Sequence, residues 1–286
     1  MRYYVLFNPM AGSGHGKEAA EKIRAFYPDD ELFFRDVTEM GNLPAFLDAL
    51  AKDDAVILCG GDGTLNHFVN DLDGYAPQNP ILLYGAGTGN DFMNDRDLPH
   101  DAAPFAINEY LTDLPTVTVN GMTKRFINGI GYGIDGYCCE VGDALRETSD
   151  KPINYTSIAI KGLLFHYKPC DATVTVDGKT ERFQRVWLAS TMFGKCYGGN
   201  MRPTPDQDRS KKDSVSLIVY HSCGKLKALM AFPDFSAGKH AKHDKIMKVF
   251  TGREVTVTFS EPQALQIDGE TVKNVTTYTV KTADCR

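Results

Sequence analysis

The sequence predicts two parts of different fold class: an N-terminal α/β domain on a parallel sheet, and a C-terminal domain that is mostly antiparallel β. In the first third of the chain, short apolar runs alternate with stretches of helical periodicity. After about residue 115, the alternation of apolar and polar residues that is typical of half-buried strands takes over. We therefore predict an α/β domain at residues 1–115 and a β-rich domain at 116–286, whose last residues could pack back on the first.

The first domain is predicted from its apolar runs, taken in chain order. Strands are expected at residues 3–7, 32–34, 55–59 and 81–84, and helices at 17–26 and 43–50. Strands separated by helices need crossover connections, which give a parallel sheet covered on both faces.

The second domain is predicted from strict alternation at three places, residues 173–176, 255–259 and 277–280. The first of these runs is followed by Asp177 and Gly178, a pair that favours a hairpin turn.

Composition limits the function classes that the chain can belong to. The 286 residues include 31 Lys and Arg against 37 Asp and Glu, a net charge of −6, so a surface built to hold nucleic acid is not expected. No apolar run reaches the roughly 18 residues that would span a bilayer, and the N-terminus resembles a strand more than a signal peptide. We expect a cytoplasmic protein whose 7 scattered cysteines are reduced and mostly buried.

Three glycine-rich loops follow predicted strands, at residues 8–16, 60–64 and 85–91. Loops at the carboxyl ends of parallel strands share one edge of the sheet, where glycines let backbone N–H groups approach phosphates. A single such loop could be only a tight turn. Three together predict a phosphate-rich ligand.

The first loop matches neither of two familiar phosphate-binding patterns. The spacing from Gly12 to Gly16 and Lys17 is one residue short of a Walker A motif, and Glu18 stands where Ser or Thr is required. The dinucleotide fingerprint needs its last glycine one residue later.

The same loops resemble the diacylglycerol kinase catalytic domain of soluble bacterial lipid kinases, which are related to sphingosine and ceramide kinases. The matching segments are Asn-Pro-x-x-Gly at 8–12, Gly-Gly-Asp-Gly-Thr at 60–64 and Gly-Thr-Gly-Asn-Asp-Phe at 87–92, and the resemblance continues at 126–135, 198–201 with Asp213, and 267–270. Similar Gly-Gly-Asp-Gly motifs occur in NAD kinases and phosphofructokinases, but the third loop favours the lipid branch.

The resemblance implies a Mg²⁺-dependent kinase that transfers the γ-phosphate of ATP to a lipid hydroxyl, with diacylglycerol as the expected acceptor, phosphatidic acid as product and a place in phospholipid biosynthesis. The alternatives are a kinase for another lipid of the sphingoid type, an NAD kinase relative, and a non-catalytic nucleotide- or lipid-binding regulator. A lipid acceptor also implies peripheral contact with the inner membrane surface.

The nucleotide site is expected in the three loops. Its residues are Asn8, Pro9, Gly12, Thr38, Gly60, Gly61, Asp62, Gly63, Thr64, Thr88 and Asn90. Asp62 is placed to hold Mg²⁺ directly or through water, although an Asp there could instead cap its own helix. Thr38 could simply be satisfied by local backbone bonds.

By the same resemblance, Glu270 is the candidate general base for the acceptor hydroxyl. The preceding Asp268-Gly269 pair also reads as a hairpin turn, so the residues alone leave both interpretations open. Asp135 is the second catalytic candidate, as a group that orients the hydroxyl or supports the base, with a solvated loop residue as the alternative.

A second, structural Mg²⁺ is implied in the β-rich domain. Its ligands would be the Asp213 side chain and main-chain carbonyls near Ser210 and Val215. This chain has Ser214 where the family usually has Gly, and a charged run at 206–212 precedes it.

Residues 225–253 contain 7 Lys and Arg against 2 Asp. This basic stretch could face anionic lipid, or it could be a solvated helical face. The neighbouring Met230, Phe232 and Phe235 are predicted to be core residues.

Overall fold

The computed structural model describes residues 1–148 and 153–285. It divides into two compact units, Met1–Leu114 and Pro115–Arg286, which we call unit 1 and unit 2.

Unit 1 contains a five-stranded sheet whose strands run mostly parallel. Its strands are β1 (Arg2–Phe7), β2 (Glu31–Asp36), β3 (Asp54–Gly60), β4 (Ile81–Gly85) and β5 (Phe105–Ala106), in the order β2-β1-β3-β4-β5. The pairings among β1 to β4 are parallel. The short β5 pairs antiparallel with β4 and was not predicted. Every residue of β3 is buried, which is why its sequence reads as one continuous apolar run.

Short helices connect these strands. They are α1 (Ala11–Gly14), α2 (Gly16–Glu21), α3 (Leu43–Asp48), α4 (Asp62–Asp71) and α5 (Asp91–Asp95), with 3₁₀ turns at Lys22–Ala25, Val37–Glu39 and Asn108–Tyr110. The helix predicted at 17–26 is therefore α-helical only at its start and tightens into a 3₁₀ turn. Ala20 and Ile23 still face the sheet and pack against Val5 and Ile57 in one core.

Unit 2 is built on an antiparallel sheet. Its strands are β6 (Thr116–Val119), β7 (Met122–Arg125), β8 (Gly129–Gly133), β9 (Cys170–Val176), β10 (Lys179–Val186), β11 (Leu188–Met192), β12 (Val215–Tyr220), β13 (Met247–Gly252), β14 (Glu254–Ile267) and β15 (Glu270–Lys281). The order is β13-β12-β11-β8-β14-β15-β6-β7, and the β9-β10 hairpin joins through β9 on β14. The three runs predicted from alternation are thus neighbours, because β14 lies between β9 and β15. The predicted fold class is confirmed in both units.

Helices cover part of this sheet. They are α6 (Ile134–Thr148), α7 (Tyr155–Lys161) and α8 (Lys225–Ser236), with a π-helical turn at Gly162–His166 and 3₁₀ turns at His240–His243 and Ala283–Cys285. Ile134, Leu163, Trp187, Ala231 and Phe235 belong to the core that joins them to the sheet.

The basic stretch at 225–253 is not one helix, since it contains α8, a 3₁₀ turn and β13. Phe235 is a core residue as predicted, and Phe232 packs partly buried against the same core. The prediction for Met230 is wrong, because this side chain is exposed on the outer face of α8.

Six cysteines are free thiols. Cys59, Cys138, Cys170, Cys196 and Cys223 are buried, and Cys139 is partly buried. Burial raises the pKa of Cys59 and of Cys139 to about 12. The prediction of reduced, mostly buried cysteines is confirmed for these residues.

Candidate active site

The three glycine-rich loops of unit 1 meet at the carboxyl edge of its sheet. A Cβ atom added to Gly61 would lie 2.7 Å from the Cα of Gly87, so the second and third loops touch backbone to backbone. The Ala86 N–H donates to the carbonyl of Gly60 at 2.9 Å, and a Cβ on Gly12 would lie 2.9 Å from the carbonyl oxygen of Ala86. Glycine is required here because no side chain fits between the loops.

Polar contacts extend this convergence to the first loop. The Asn8 amide lies 3.5 Å from the Thr64 hydroxyl, and the Asn8 side-chain oxygen accepts from the N–H of Met10. Thr64 is buried directly beneath Gly60. The first two loops are thereby in contact through the Asn8 and Thr64 side chains.

Asp62 anchors the third loop instead of capping its own helix. Its two carboxylate oxygens accept the backbone N–H groups of Asp91 and Phe92 at 2.8 and 2.9 Å, at the N-terminus of α5. The residue at the N-cap of α4 is Gly61. A carboxylate oxygen is the kind of donor that Mg²⁺ prefers, so the chemistry of Asp62 suits the predicted magnesium ion.

Asn90 holds the third loop in shape. Its backbone is left-handed, with φ of 49°, a conformation that Asn tolerates better than most residues. Its side chain accepts from the N–H of Gly87 and donates to the Gly87 carbonyl, both at 3.0 Å. Thr88 lies exposed at the tip of this loop.

Thr38 lies at the end of β2, the strand beside β1. Its hydroxyl and its N–H both bond to the Asp36 carboxylate, at 2.7 and 2.8 Å. The local partner of Thr38 is thus a side chain and not the backbone that the alternative interpretation expected, and the place of Thr38 in the nucleotide site stays a prediction.

In unit 2, Asp135 lies in the first turn of α6, where it contacts the middle of the sheet at β11. A single oxygen, Oδ2, accepts from the hydroxyls of Ser190 and Tyr197 at 2.6 and 2.7 Å. Burial raises the pKa of Asp135 to about 6, although the two hydroxyl bonds act in the opposite direction. The alternative of a solvated loop residue is wrong.

Glu270 is the first residue of β15 and pairs with Ile267 across the turn. Asp268 and Gly269 both have positive φ, 46° and 96°, so the predicted hairpin turn is present. The turn and a catalytic role for Glu270 are compatible, because Glu270 follows the turn and is not part of it. Its carboxylate lies 3.0 Å from the Lys124 ammonium.

Asp268 has a role that sequence reasoning missed. Its carboxylate accepts the N–H groups of Ile127, Asn128 and Gly129, at 2.6, 2.9 and 2.9 Å. It therefore ties the turn before Glu270 to the start of β8. Sequence reasoning also missed four residues that contact the candidate side chains: Asp91, Ser190, Tyr197 and Lys124. Of these four, Asp91 alone lies inside one of the matching segments, at 87–92.

The predicted second metal site contains side chains that already have other partners. Asp213 is exposed, and the Arg253 guanidinium lies 3.9 Å from its carboxylate. Ser210 donates its N–H and its hydroxyl to Asp208. Over residues 1–148 and 153–285, no group of three or more His, Cys, Asp or Glu side chains is arranged to hold a metal ion. The ligand set Asp213, Ser210 and Val215 stays a prediction.

The helices of the described residues include none that is both long and apolar enough to cross a bilayer.

Comparisons with known proteins agree with this architecture. The family model of the diacylglycerol kinase catalytic domain matches residues 2–119, and that of the YegS C-terminal NAD kinase beta sandwich-like domain matches residues 128–282. Among curated proteins, no relative matches the chain.

Solved structures show the same fold. A crystal structure of a diacylglycerol kinase from Bacillus anthracis str. Sterne superposes with a TM-score of 0.62 at 19% identity, over 98% of this chain and 93% of that one. Two other structures from that organism give TM-scores of 0.67 and 0.65, both at 19% identity, over 98% of this chain and 91% and 93% of theirs. With both units matched in order by the family models, the chain belongs to the diacylglycerol kinase catalytic-domain family of lipid kinases.

Proposed function

We propose that this chain transfers the γ-phosphoryl group of ATP to the free hydroxyl of diacylglycerol, giving phosphatidic acid and ADP. One observation carries the proposal: in a chain of this family, three glycine-rich loops meet backbone to backbone at Gly12, Gly61 and Gly87. Such an edge presents N–H groups to phosphates at little steric cost.

The nucleotide-binding role belongs to unit 1. Gly60, Gly61 and Gly63 let the phosphates approach the backbone, and the Thr64 hydroxyl and Asn8 amide lie beside them. Pro9, Gly12, Thr38, Thr88 and Asn90 complete the expected set. Asp62 would hold Mg²⁺, which neutralises charge on the transferring phosphoryl group when it is bound.

The acceptor role belongs to unit 2. The acceptor oxygen attacks the γ-phosphorus, the bond from that phosphorus to the β–γ bridging oxygen breaks, and ADP leaves. The hydroxyl proton passes to the Glu270 carboxylate. Asp135 Oδ2 already accepts two hydroxyl bonds, so Oδ1 is the oxygen with which this residue would orient the acceptor.

The test is transfer of labelled γ-phosphate from ATP and Mg²⁺ to mixed micelles that contain diacylglycerol, monoacylglycerol, sphingosine or ceramide, with NAD in a parallel reaction. Label in phosphatidic acid supports the proposal. Label in another lipid retains the kinase and changes its substrate. Label only in NADP indicates the NAD kinase branch, and binding of ATP without any transfer indicates a regulator.

Glu270→Gln should lower the transfer rate by about 10²- to 10⁴-fold, the usual contribution of a general base. Glu261→Gln is the matched control, because Glu261 is an exposed residue of β14, the strand that pairs with β15. Circular dichroism would show that both variants fold. A Glu270→Gln variant with the control's activity would exclude Glu270 as the base.

A further inference from the structure

Unit 2 carries an exposed apolar surface that neither the core nor the candidate active site uses. Phe165, Leu226 and Met230 are 72%, 68% and 67% exposed. Single exposed apolar residues are ordinary, but neighbouring ones with this much exposure indicate contact with another surface.

The structure shows why these side chains point outward. On α8, Ala228, Ala231 and Phe235 are buried in the unit 2 core, while Leu226 and Met230, four residues apart, lie on the opposite face. The helix is therefore apolar on both sides, and only one side is covered.

Phe165 belongs to the same surface. It lies in the π-helical turn Gly162–His166, whose Leu163 shares the core with Ala228 and Ala231. The Lys225 ammonium donates to the Leu164 carbonyl at 2.8 Å, which links the start of α8 to that turn.

The surroundings of these residues are positively charged. Residues 153–170 and 221–233 contain Lys161, Lys168, Lys225 and Lys227 and no Asp or Glu, although the whole chain has a net charge of −6. All four of these lysines are exposed. We call Phe165, Leu226 and Met230, with Lys161, Lys225 and Lys227, the α8 surface.

We propose that the α8 surface docks the enzyme onto an anionic lipid bilayer. Apolar side chains that insert at the boundary of headgroups and acyl chains, flanked by lysines that reach anionic headgroups, are the composition that holds a protein at a membrane surface. A second copy of the chain is a poorer partner, because two lysine-rich surfaces repel each other. The inference rests on the proposed function for its purpose, since diacylglycerol resides in the bilayer.

The experiment is co-sedimentation of the full chain with vesicles of phosphatidylcholine and phosphatidylglycerol that contain neither diacylglycerol nor ATP, so binding is measured without turnover. The wild type should bind, should bind pure phosphatidylcholine far less, and should be released by salt. Replacement of both Leu226→Gln and Met230→Gln should weaken binding at least tenfold, and Lys227→Gln about fivefold.

Met122→Gln is the matched control, because Met122 is an exposed apolar side chain of unit 2 at the start of β7. All variants should keep the wild-type unfolding midpoint, because the replaced side chains are exposed.

Three results would overturn the inference. They are failure of the wild type to bind anionic vesicles, equal binding by the double variant and by Met122→Gln, and a change of solution mass in the double variant with vesicle binding unaltered. The last would identify a self-association surface. None of them bears on phosphoryl transfer to lipid in detergent micelles, so the kinase proposal is tested separately.

Discussion

At the scale of single residues, Asp135 shows how hydroxyl groups can stabilise a partly buried carboxylate. Both of its hydroxyl partners bond to Oδ2, so an asparagine that places its oxygen there keeps both bonds and removes only the charge. The contribution of the charge to the free energy of unfolding can therefore be measured apart from that of the hydrogen bonds.

Asp135→Asn should change how stability depends on pH. The pKa of the Asp135 carboxyl is about 6 in the folded protein, against 3.8 for an unperturbed aspartate, so the folded state binds this proton more tightly than the unfolded chain. The contribution of the group to the free energy of unfolding therefore falls as pH rises from 3.8 to about 6. Urea unfolding at intervals across that range should show a fall in the wild type that is reduced in Asp135→Asn.

Asp143→Asn is a suitable control, because Asp143 lies on the same helix and is partly exposed. If Asp135→Asn and Asp143→Asn gave the same pH dependence as the wild type, the carboxyl of Asp135 would not titrate in this range.

At the scale of elements, two loops of unit 1 and one turn of unit 2 depend on contacts made far along the sequence. Gly61 and Gly87 touch across loops that follow different strands, and Asp268 binds the backbone of residues 127–129. Each contact fixes the shape of a segment that has no regular hydrogen bonding of its own.

Gly61→Ala should separate the second and third loops, because its methyl group would lie 2.7 Å from the Cα of Gly87. Backbone cannot yield as a flexible side chain would, so we expect a loss of about 1–3 kcal/mol in the free energy of unfolding. Calorimetric titration with ATP should show weaker binding. Gly41→Ala is the control, since nothing lies within 4 Å of its added Cβ; equal effects of the two changes would contradict the contact.

Asp268→Ala should destabilise unit 2 by about 2–4 kcal/mol, because three backbone N–H groups lose a charged acceptor. Asp268→Asn should cost less, since an amide oxygen in the position of Oδ1 keeps the bonds to Asn128 and Gly129. Chemical denaturation would measure both. A variant with alanine as stable as the one with asparagine would show that these bonds contribute little.

At the scale of the whole molecule, binding of ATP should be visible as stabilisation. A ligand that binds only the folded state at 100 times its Kd adds about 2.7 kcal/mol to the free energy of unfolding. Hydrogen exchange with and without ATP and Mg²⁺ should show added protection at residues 8–16, 60–64 and 85–91. Protection confined to residues 115–285 would contradict the assignment of the nucleotide to unit 1.

Much of this architecture can be predicted from the sequence, because its signals are local. The continuous apolar run of β3, the alternation in β9, β14 and β15, and the glycines of the three loops are all readable from neighbouring residues. The candidate positions Asp62 and Glu270 come from motifs of a few residues.

The parts of the candidate site that could not be predicted depend on contacts between residues far apart in the sequence. Asp62 bonds to the start of α5, 29 residues further along the chain, and Asp135 accepts from hydroxyls 55 and 62 residues away. Neighbouring residues in the sequence therefore do not indicate either set of hydrogen bonds. The error at Met230 has another cause. Because α8 is apolar on both faces, its periodicity does not tell which face is covered.

The burial of the cysteines has a practical consequence for chemical labelling. A thiol reacts as its thiolate, and Cys59 and Cys139, with pKa values of about 12, hold almost none at neutral pH. In a variant with Cys285→Ser, a thiol introduced by Leu226→Cys would lie on an exposed helix face and react far faster with a maleimide dye. A fluorophore that senses polarity could then report the arrival of the α8 surface at a vesicle in real time.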